Sequence, residues 1–329
     1  MSETVLVTGS TGLLGANVCR VLVARGDQVR ALCRAQADTA PLAAMGVDVV
    51  TGDVTSADDV RAAVRGTDAA IHSAALLGGA SQDLEAFRAV NTEGTGHVLD
   101  AAEEFGLRRV LAVSTGTFFD TSTGVEREDA PVSTEPSSDP YTLTKMAAFE
   151  DAMARAAKGQ DVVTAHPGAI YGPSPVATNA LGRTSFNRVL LAALRGRLQR
   201  YLKFPVSWVL AGDVADGCVA ALDRGTPGER YMFDGRPEDV VSVATAASRA
   251  CELAGMTQRV ADVDPSDDPE LAATFGPTLM AIASKPDTDR AERRDTTETK
   301  TYRRLGYQPT SLDDGLRATV EWLQHLGAI

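Results

Sequence analysis

The sequence predicts an α/β protein built on a doubly wound parallel sheet, with a smaller C-terminal region completing it. Three observations predict this. Short apolar runs alternate with helical patterns through the first half of the chain, as right-handed βαβ crossovers require. The first run leads into glycines at positions 9, 12 and 15 and then into a helix, the layout of a nucleotide-binding first unit. After about Pro167 the rhythm breaks, so the second half is not a continuation of the same winding.

Thr4 to Thr8 is the first strand. Leu13 to Ala24 carries apolar residues at helical spacing, and Arg25-Gly26-Asp27 ends that helix. Val29 to Cys33 and Val47 to Thr51 are the second and third strands. Ser56 caps a helix running to about Val64. Ala69 to His72 is the fourth strand. Asp83 to Phe105 reads as one long helix closed by Gly106. Arg109 to Ser114 is the fifth strand, Pro140 to Ala157 a helix and Asp161 to His166 the sixth strand. Pro167 to Gly182, rich in Pro, Gly, Ser and Asn, reads as a loop of the kind that carries function. Helices are expected over Ser185 to Leu194, Gly212 to Asp223 and Val241 to Ala254. A polar stretch from Asp262 to Asp268 and a last helix from Leu312 to Leu326 follow. Residues 1–166 are expected to form a dinucleotide-binding domain. Residues 167–329 should form mainly a substrate-binding region, with some segments returning to the first domain.

Composition narrows the function. The 329 residues are 44% hydrophobic, enough for a sizeable core. A net charge of −12 argues against a grip on nucleic-acid phosphates and against anionic membranes. No apolar run approaches the ~20 residues of a membrane span, and the first residues lack a signal-peptide layout, so a cytoplasmic protein is expected. Cys19, Cys33, Cys218 and Cys251 are too scattered for a metal knuckle or redox pair, and the histidines lack zinc-ligand spacing; no metal is expected.

The glycine turn has a physical reading. Gly9 allows a sharp turn, Gly12 lets backbone approach a pyrophosphate, and Gly15 lets the helix pack close to the strand. The helix N-terminus offers free N–H groups and partial positive charge to phosphate. In Pro140-Tyr141-Thr142-Leu143-Thr144-Lys145, a spacing of four puts Tyr141 and Lys145 on one helix face. An ammonium beside a phenol, and an oxidised nicotinamide where one is bound, both favour the phenolate, so a lowered Tyr141 pKa is expected.

Thr-Gly-Ser-Thr-Gly-Leu-Leu-Gly, ending at Gly15, resembles the opening of the extended short-chain dehydrogenase/reductases, the NAD-dependent epimerase/dehydratase superfamily of Rossmann fold. The resemblance recurs in Gly52-Asp53-Val54, His72-Ser73-Ala74-Ala75, Asn91, Asp213-Val214-Ala215, Gly306-Tyr307 and Glu321-Trp322-Leu323. It implies a cofactor site of Gly9, Ser10, Thr11, Gly12, Leu13 and Leu14, then Arg34, Asp53, Val54, Ala74, Ala75 and Asn91. It adds Tyr141, Lys145, and the Pro167, Gly168, Ala169 and Ile170 segment against the nicotinamide. It implies catalysis by Tyr141 and Lys145 with Thr115 as the third member, Ser114 and Thr117 being alternatives. His166 stands where the family usually has Arg and is expected at the pocket edge.

The second strand ends in Cys33-Arg34. Cys33 stands where NAD-selective members carry an acid, and a guanidinium suits a 2′-phosphate. NADP is therefore favoured, with NAD as the alternative, and Ser10 adds a hydroxyl. The second strand and the chain's ending look most like the dihydroflavonol-reductase-like branch, which reduces ketones or aldehydes. Hydride transfer to or from a small carbonyl or alcohol substrate is the expected activity. Gly116 and Thr117 replace a dehydratase's Asp-Glu pair. The alternatives are an NAD-dependent nucleotide-sugar epimerase, for which Arg183, Arg188, Arg195 and Arg197 would grip a pyrophosphate, and a non-catalytic dinucleotide sensor, which would lack the Tyr-Lys pair. Leu76, Phe118, Phe186, Trp208 and Met280 hint at a partly apolar pocket. A homodimer is expected by resemblance, through the two long helices.

Overall fold

A computed structural model of the chain describes residues 2–78, 83–120, 128–134, 139–275, 280 and 299–329. The first half winds as expected: β1 (Thr4–Thr8), α1 (Leu13–Arg25), β2 (Gln28–Cys33), α2 (Ala40–Ala44), β3 (Asp48–Thr51), α3 (Ala57–Val64) and β4 (Ala69–His72). A helix then runs as α4 (Leu84–Phe87), a π-helical stretch (Arg88–Glu93) and α5 (Gly94–Phe105). β5 (Arg109–Val113), α6 (Pro140–Ala156) and β6 (Val162–Pro167) close the first half. Caps explain several boundaries: Ser56 accepts from the Asp59 N–H, Asp83 from Glu85 and Asp139 from Thr142. Gly26 and Gly106 end their helices in the left-handed conformation.

The second half holds β7 (Ala169–Tyr171), α7 (Ala177–Ala180), α8 (Phe186–Leu194), β8 (Arg200–Leu202), β9 (Pro205–Leu210), α9 (Ala211–Arg224) and β10 (Arg230–Phe233). It ends with β11 (Val240–Ser242), α10 (Val243–Leu253), β12 (Ala261–Val263), α11 (Pro269–Ala272), α12 (Lys300–Leu305) and α13 (Leu312–His325).

The main sheet is parallel throughout, in the order β10-β6-β5-β4-β1-β2-β3. The strand order reverses direction between β1 and β4, the switch point whose carboxyl ends bind ligands in such sheets. β1 and β4 are almost wholly buried, because helices cover both faces. One face packs α1 and α9 together over Val5, Val7 and Ile71; the other packs α3 and α5 over Leu6, Ala70 and Val110. A third core surrounds Trp208 with residues of α8, α10 and α13.

The second half of the chain departs from the sequence expectation. Pro167–Gly182 is not all loop: Ala169, Ile170 and Tyr171 pair with Trp208, Val209 and Leu210. Three residues are too few to show a period, and their partner strand lies far along the chain. The helix expected from Val241 starts at Val243, because Val240–Ser242 pairs with β9 and Ser242 then caps α10. In the polar stretch, Ala261–Val263 pairs with β8 and Asp268 caps α11. β10, a seventh strand of the main sheet, was not foreseen.

Candidate active site

The glycine turn joins β1 to α1 at the switch point. Gly9 has φ +69, which favours glycine, and a Cβ there would lie 2.6 Å from the Ala74 nitrogen. The turn thus nests against the main chain after β4. Its own closure is the Gly12 N–H bond to the Gly9 carbonyl, 2.9 Å. A Cβ on Gly15 would overlap the Gly9 carbonyl oxygen, so α1 starts flush against the turn. No side chain caps α1 at Gly12, leaving the N–H groups of Leu13 and Leu14 for an anion. This cradle, where a Cβ at Gly9 or Gly15 would collide with main chain, fits a dinucleotide pyrophosphate. Thr11 and Leu13 are tied down through their carbonyls, by Asn179 at 3.2 Å and Asn17 at 2.9 Å; Asn17 also reaches the Pro173 carbonyl at 3.0 Å. Asn17, a polar residue on the buried face of α1, is a signal in the sequence; Asn179 carries none.

The Ser10 hydroxyl faces inward, 3.2 Å from Cys33 Sγ, and Ser10 is 1% exposed. It is therefore turned away from the surface where a 2′-phosphate was expected to meet it. Burial raises the Cys33 pKa, with the Ser10 bond opposing, so the strand end carries no negative charge at neutral pH. Arg34 beside it is exposed and makes no side-chain hydrogen bond or ion pair among the described residues. Asp53 is half-buried and accepts from Thr55 N and Oγ1, while Val54 packs in the core against Gly94.

Ala74 and Ala75 follow β4, half-buried. Asn91 lies in the π-helical stretch, fully buried. Its Oδ1 accepts from Leu76 N at 2.8 Å, and its Nδ2 donates to the Leu76 carbonyl and to Thr144 Oγ1, each at 3.1 Å. The amide is thus used on the protein itself: Asn91 holds the Leu76 main chain and Thr144. Thr8 and His72 complete the scaffold. Thr95 Oγ1 donates to the Asn91 carbonyl at 2.6 Å, so it accepts from His72 Nε2 at 3.1 Å. His72 Nδ1 must then accept from Thr8 Oγ1, 2.7 Å away. Burial, then Lys145 nearby, pushes the His72 pKa down to about 3, so the ring is neutral. A buried His flanked by threonines across three elements gave no local signal.

The Asp139 cap and Pro140 set Tyr141 in the first turn of α6. Its hydroxyl interacts with the Thr115 side chain, just past β5, and Gly78 lies against its ring. Lys145 is 3% exposed and donates to the Val113 carbonyl at 2.6 Å. Lys145 does not bring the expected lowering of the Tyr141 pKa. Burial, the largest cause, raises it to about 12, opposed by the Thr115 bond and helped by Asp139. Lys145 points to the strand instead, and its own pKa falls to about 8 through burial. Of the three hydroxyls considered, Thr115 meets Tyr141. Among the described residues Ser114 Oγ is buried without a partner, and Thr117 Oγ1 pairs with Thr142 at 3.2 Å.

Pro167 ends β6, and Gly168, Ala169 and Ile170 continue half-buried. A Cβ on Gly168 would lie 2.5 Å from the Ser207 carbonyl. His166 is not at a pocket edge. It is fully buried among Phe118, Phe119 and Phe149. Phe118 and Trp208, each 2% exposed, are core residues and not open pocket walls. Arg183, Arg188, Arg195 and Arg197 are all exposed. Four segments are expected to select the substrate, Leu76 to Gln82, Gly172 to Phe186, Arg200 to Trp208 and Leu271 to Ala283, and of these the parts at 79–82, 276–279 and 281–283 lie outside the described residues. Among the described residues no group of three His, Cys, Asp or Glu can hold a metal, and no helix is long and apolar enough to cross a membrane.

Residues 5–233 match the model of the NAD dependent epimerase/dehydratase family. The chain is 35% identical over 234 residues to sterol demethylase protein B of Methylococcus capsulatus, covering 70% of each. It is 31% identical over 241 residues to a putative dihydroflavonol 4-reductase of Synechocystis, covering 71% of this chain and 68% of that one. Among solved structures, a nucleoside-diphosphate-sugar epimerase from Pseudomonas aeruginosa shares the fold with TM-score 0.78 at 23% identity, over 100% of both chains.

Proposed function

The chain belongs to the NAD dependent epimerase/dehydratase family, and on that premise we propose that it is a cytoplasmic NADP(H)-dependent reductase of a ketone or aldehyde. That it is an NAD(P)-binding oxidoreductase acting on CH-OH/C=O groups follows from the family and its relatives. The observation that carries the finer reading is the Tyr141–Thr115 pair, with Tyr141 against Gly78 in the segment after β4 whose start, Ala74, the glycine turn contacts. A phenol with a pKa near 12 keeps its proton at neutral pH. It is set up to give that proton, which is what a carbonyl oxygen needs on reduction.

In this reading Tyr141 protonates the substrate oxygen and Thr115 holds it with a second hydrogen bond. Lys145 has three N–H donors, and one is taken by Val113. The other two suit the hydroxyls of the nicotinamide ribose. Gly9, Gly12 and the first N–H groups of α1 would hold the pyrophosphate. Asp53 and Val54 would border the adenine, Ala74 and Ala75 would flank the cofactor, and residues 167–170 would back the nicotinamide. When bound, the cofactor supplies the hydride. Leu77, 45% exposed beside Gly78, gives the substrate side an apolar rim. Residues 1–166 would form the cofactor domain and 167–329 mainly the substrate region. A carbonyl and alcohol panel assayed with both cofactors tests the reading. Turnover-linked NADPH oxidation supports it; NAD that stays bound through purification, with sugar-nucleotide epimerisation, overturns it.

Two results are expected from the cofactor side. Arg34→Ala should weaken NADPH binding about 10- to 100-fold, the worth of charge-assisted hydrogen bonds to a phosphate. NADH binding should be unchanged, and equal loss for both cofactors would refute the 2′-phosphate role. Turnover should also depend on the Lys145 charge. Its pKa of about 8 means the ammonium is lost above that pH, so kcat/KM for reduction should fall as pH rises past 8. A profile flat from pH 7 to about 10, where an ordinary lysine titrates, would remove Lys145 from this role. The sign for stability is opposite: between about 8 and 10.5 the unfolded chain binds more protons at this lysine than the folded one, so stability rises with pH there.

A further inference from the structure

The hydrogen-bond ladder between β5 and β6 ends one residue before Thr115. Val113 pairs with Ala165, and Ser114 N donates to the Ala165 carbonyl at 2.7 Å. Beyond that point a side chain takes over. His166 Nδ1 lies 2.7 Å from the Thr115 carbonyl oxygen, and Nε2 lies 2.9 Å from Thr164 Oγ1. A carbonyl can only accept, so Nδ1 carries the proton. The imidazole is fully buried, with Phe119 and Phe149 ring centroids at 5.1 and 5.4 Å, so it has no room to swing. The Thr115 side chain is weakly held by comparison, its intraloop contacts to Thr117 being 3.4 Å.

We propose that His166 is a positioning residue, whose Nδ1–H fixes the Thr115 main chain so that its hydroxyl stays on Tyr141 and the substrate oxygen. The proposal rests on the reading of Thr115 as the orienting hydroxyl. Arginine, which the family resemblance puts at this position, is longer than histidine and has no ring nitrogen at this short reach, so the device belongs to this chain's own core of three phenylalanines.

The test compares three substitutions. Asn places an amide N–H near the Nδ1 position, Gln places one nearer Nε2, and Phe offers neither. His166→Asn should keep kcat close to that of the parent. His166→Gln and His166→Phe should lower kcat about 10- to 100-fold, the scale of an ångström-level misplacement, with KM for the cofactor nearly unchanged. Equal kcat for all four proteins overturns the proposal. So does a loss that follows the drop in Tm regardless of which amide is present, since that marks packing alone. Thr115→Ala, measured in parallel, separates the two readings. If it turns over like the parent, the role given to Thr115 fails; if it is impaired while His166→Phe is not, only the positioning role fails. On the unaltered protein, side-chain nitrogen NMR should show the His166 proton on Nδ1, and a proton found on Nε2 alone overturns the proposal without any variant.

Discussion

Replacing Tyr141 with phenylalanine is expected to lower kcat by roughly 10²- to 10⁴-fold, the usual contribution of a positioned proton donor. NADP(H) affinity should stay nearly the same. The ring keeps its place against Gly78, and the hydroxyl that is lost bonds Thr115, not the glycine cradle. The neutral phenol is replaced by a neutral ring, so no charge is stranded. Single-turnover measurement at saturating cofactor, beside a cofactor titration, separates the two effects. Turnover at the parent rate would refute the assignment of Tyr141. A large loss of cofactor affinity would mean that Tyr141 supports the cofactor and not the substrate oxygen.

The second large effect is at Gly15, which lies inside α1. Ala ordinarily improves a helix interior by up to about 1 kcal/mol over Gly. Here the added methyl would overlap the Gly9 carbonyl oxygen, a backbone atom of the turn itself. The turn cannot retreat, because Gly9 is already pressed on the Ala74 main chain. Gly15→Ala should therefore cost about 1–3 kcal/mol of stability, as overpacking does, and weaken NADP(H) binding at least about 10-fold by opening the cradle, since a 1.4 kcal/mol change is already tenfold. Gly96 in α5 is the control. A Cβ there meets nothing within 4 Å, so Gly96→Ala should leave binding alone and be neutral or up to about 1 kcal/mol more stable. Thermal unfolding and cofactor titration of the pair decide it: the same response from both would show that the Gly15 contact does not matter.

These two sites were legible for different reasons. Gly9, Gly12 and Gly15 act within one turn, and their spacing between a strand and a helix encodes the cradle directly. Tyr141 and Lys145 were legible as a helical pair, but the reading of their chemistry was not. Spacing put them on one face and suggested an ammonium pulling down a phenol. In the fold Lys145 reaches the Val113 carbonyl, and burial raises the tyrosine instead. Burial cannot be read from a four-residue spacing. The same holds for Ser10, whose hydroxyl faces Cys33 on a neighbouring strand, and for Asn91, whose amide is taken by Leu76 and Thr144.

What the sequence determined by itself is what short-range chemistry determines: the order of strands and helices in the first half, the glycine turn, the exposed Arg34 after the second strand, and membership of one family. What only the tertiary structure decided is everything that depends on residues distant in sequence meeting in space. β10 completes the main sheet beside β6, and Ala169–Tyr171 becomes a strand because β9 runs alongside it. His166 holds the Thr115 carbonyl from 51 positions away. Pairing partners and burial set those outcomes, and neither leaves a period or a spacing along the chain.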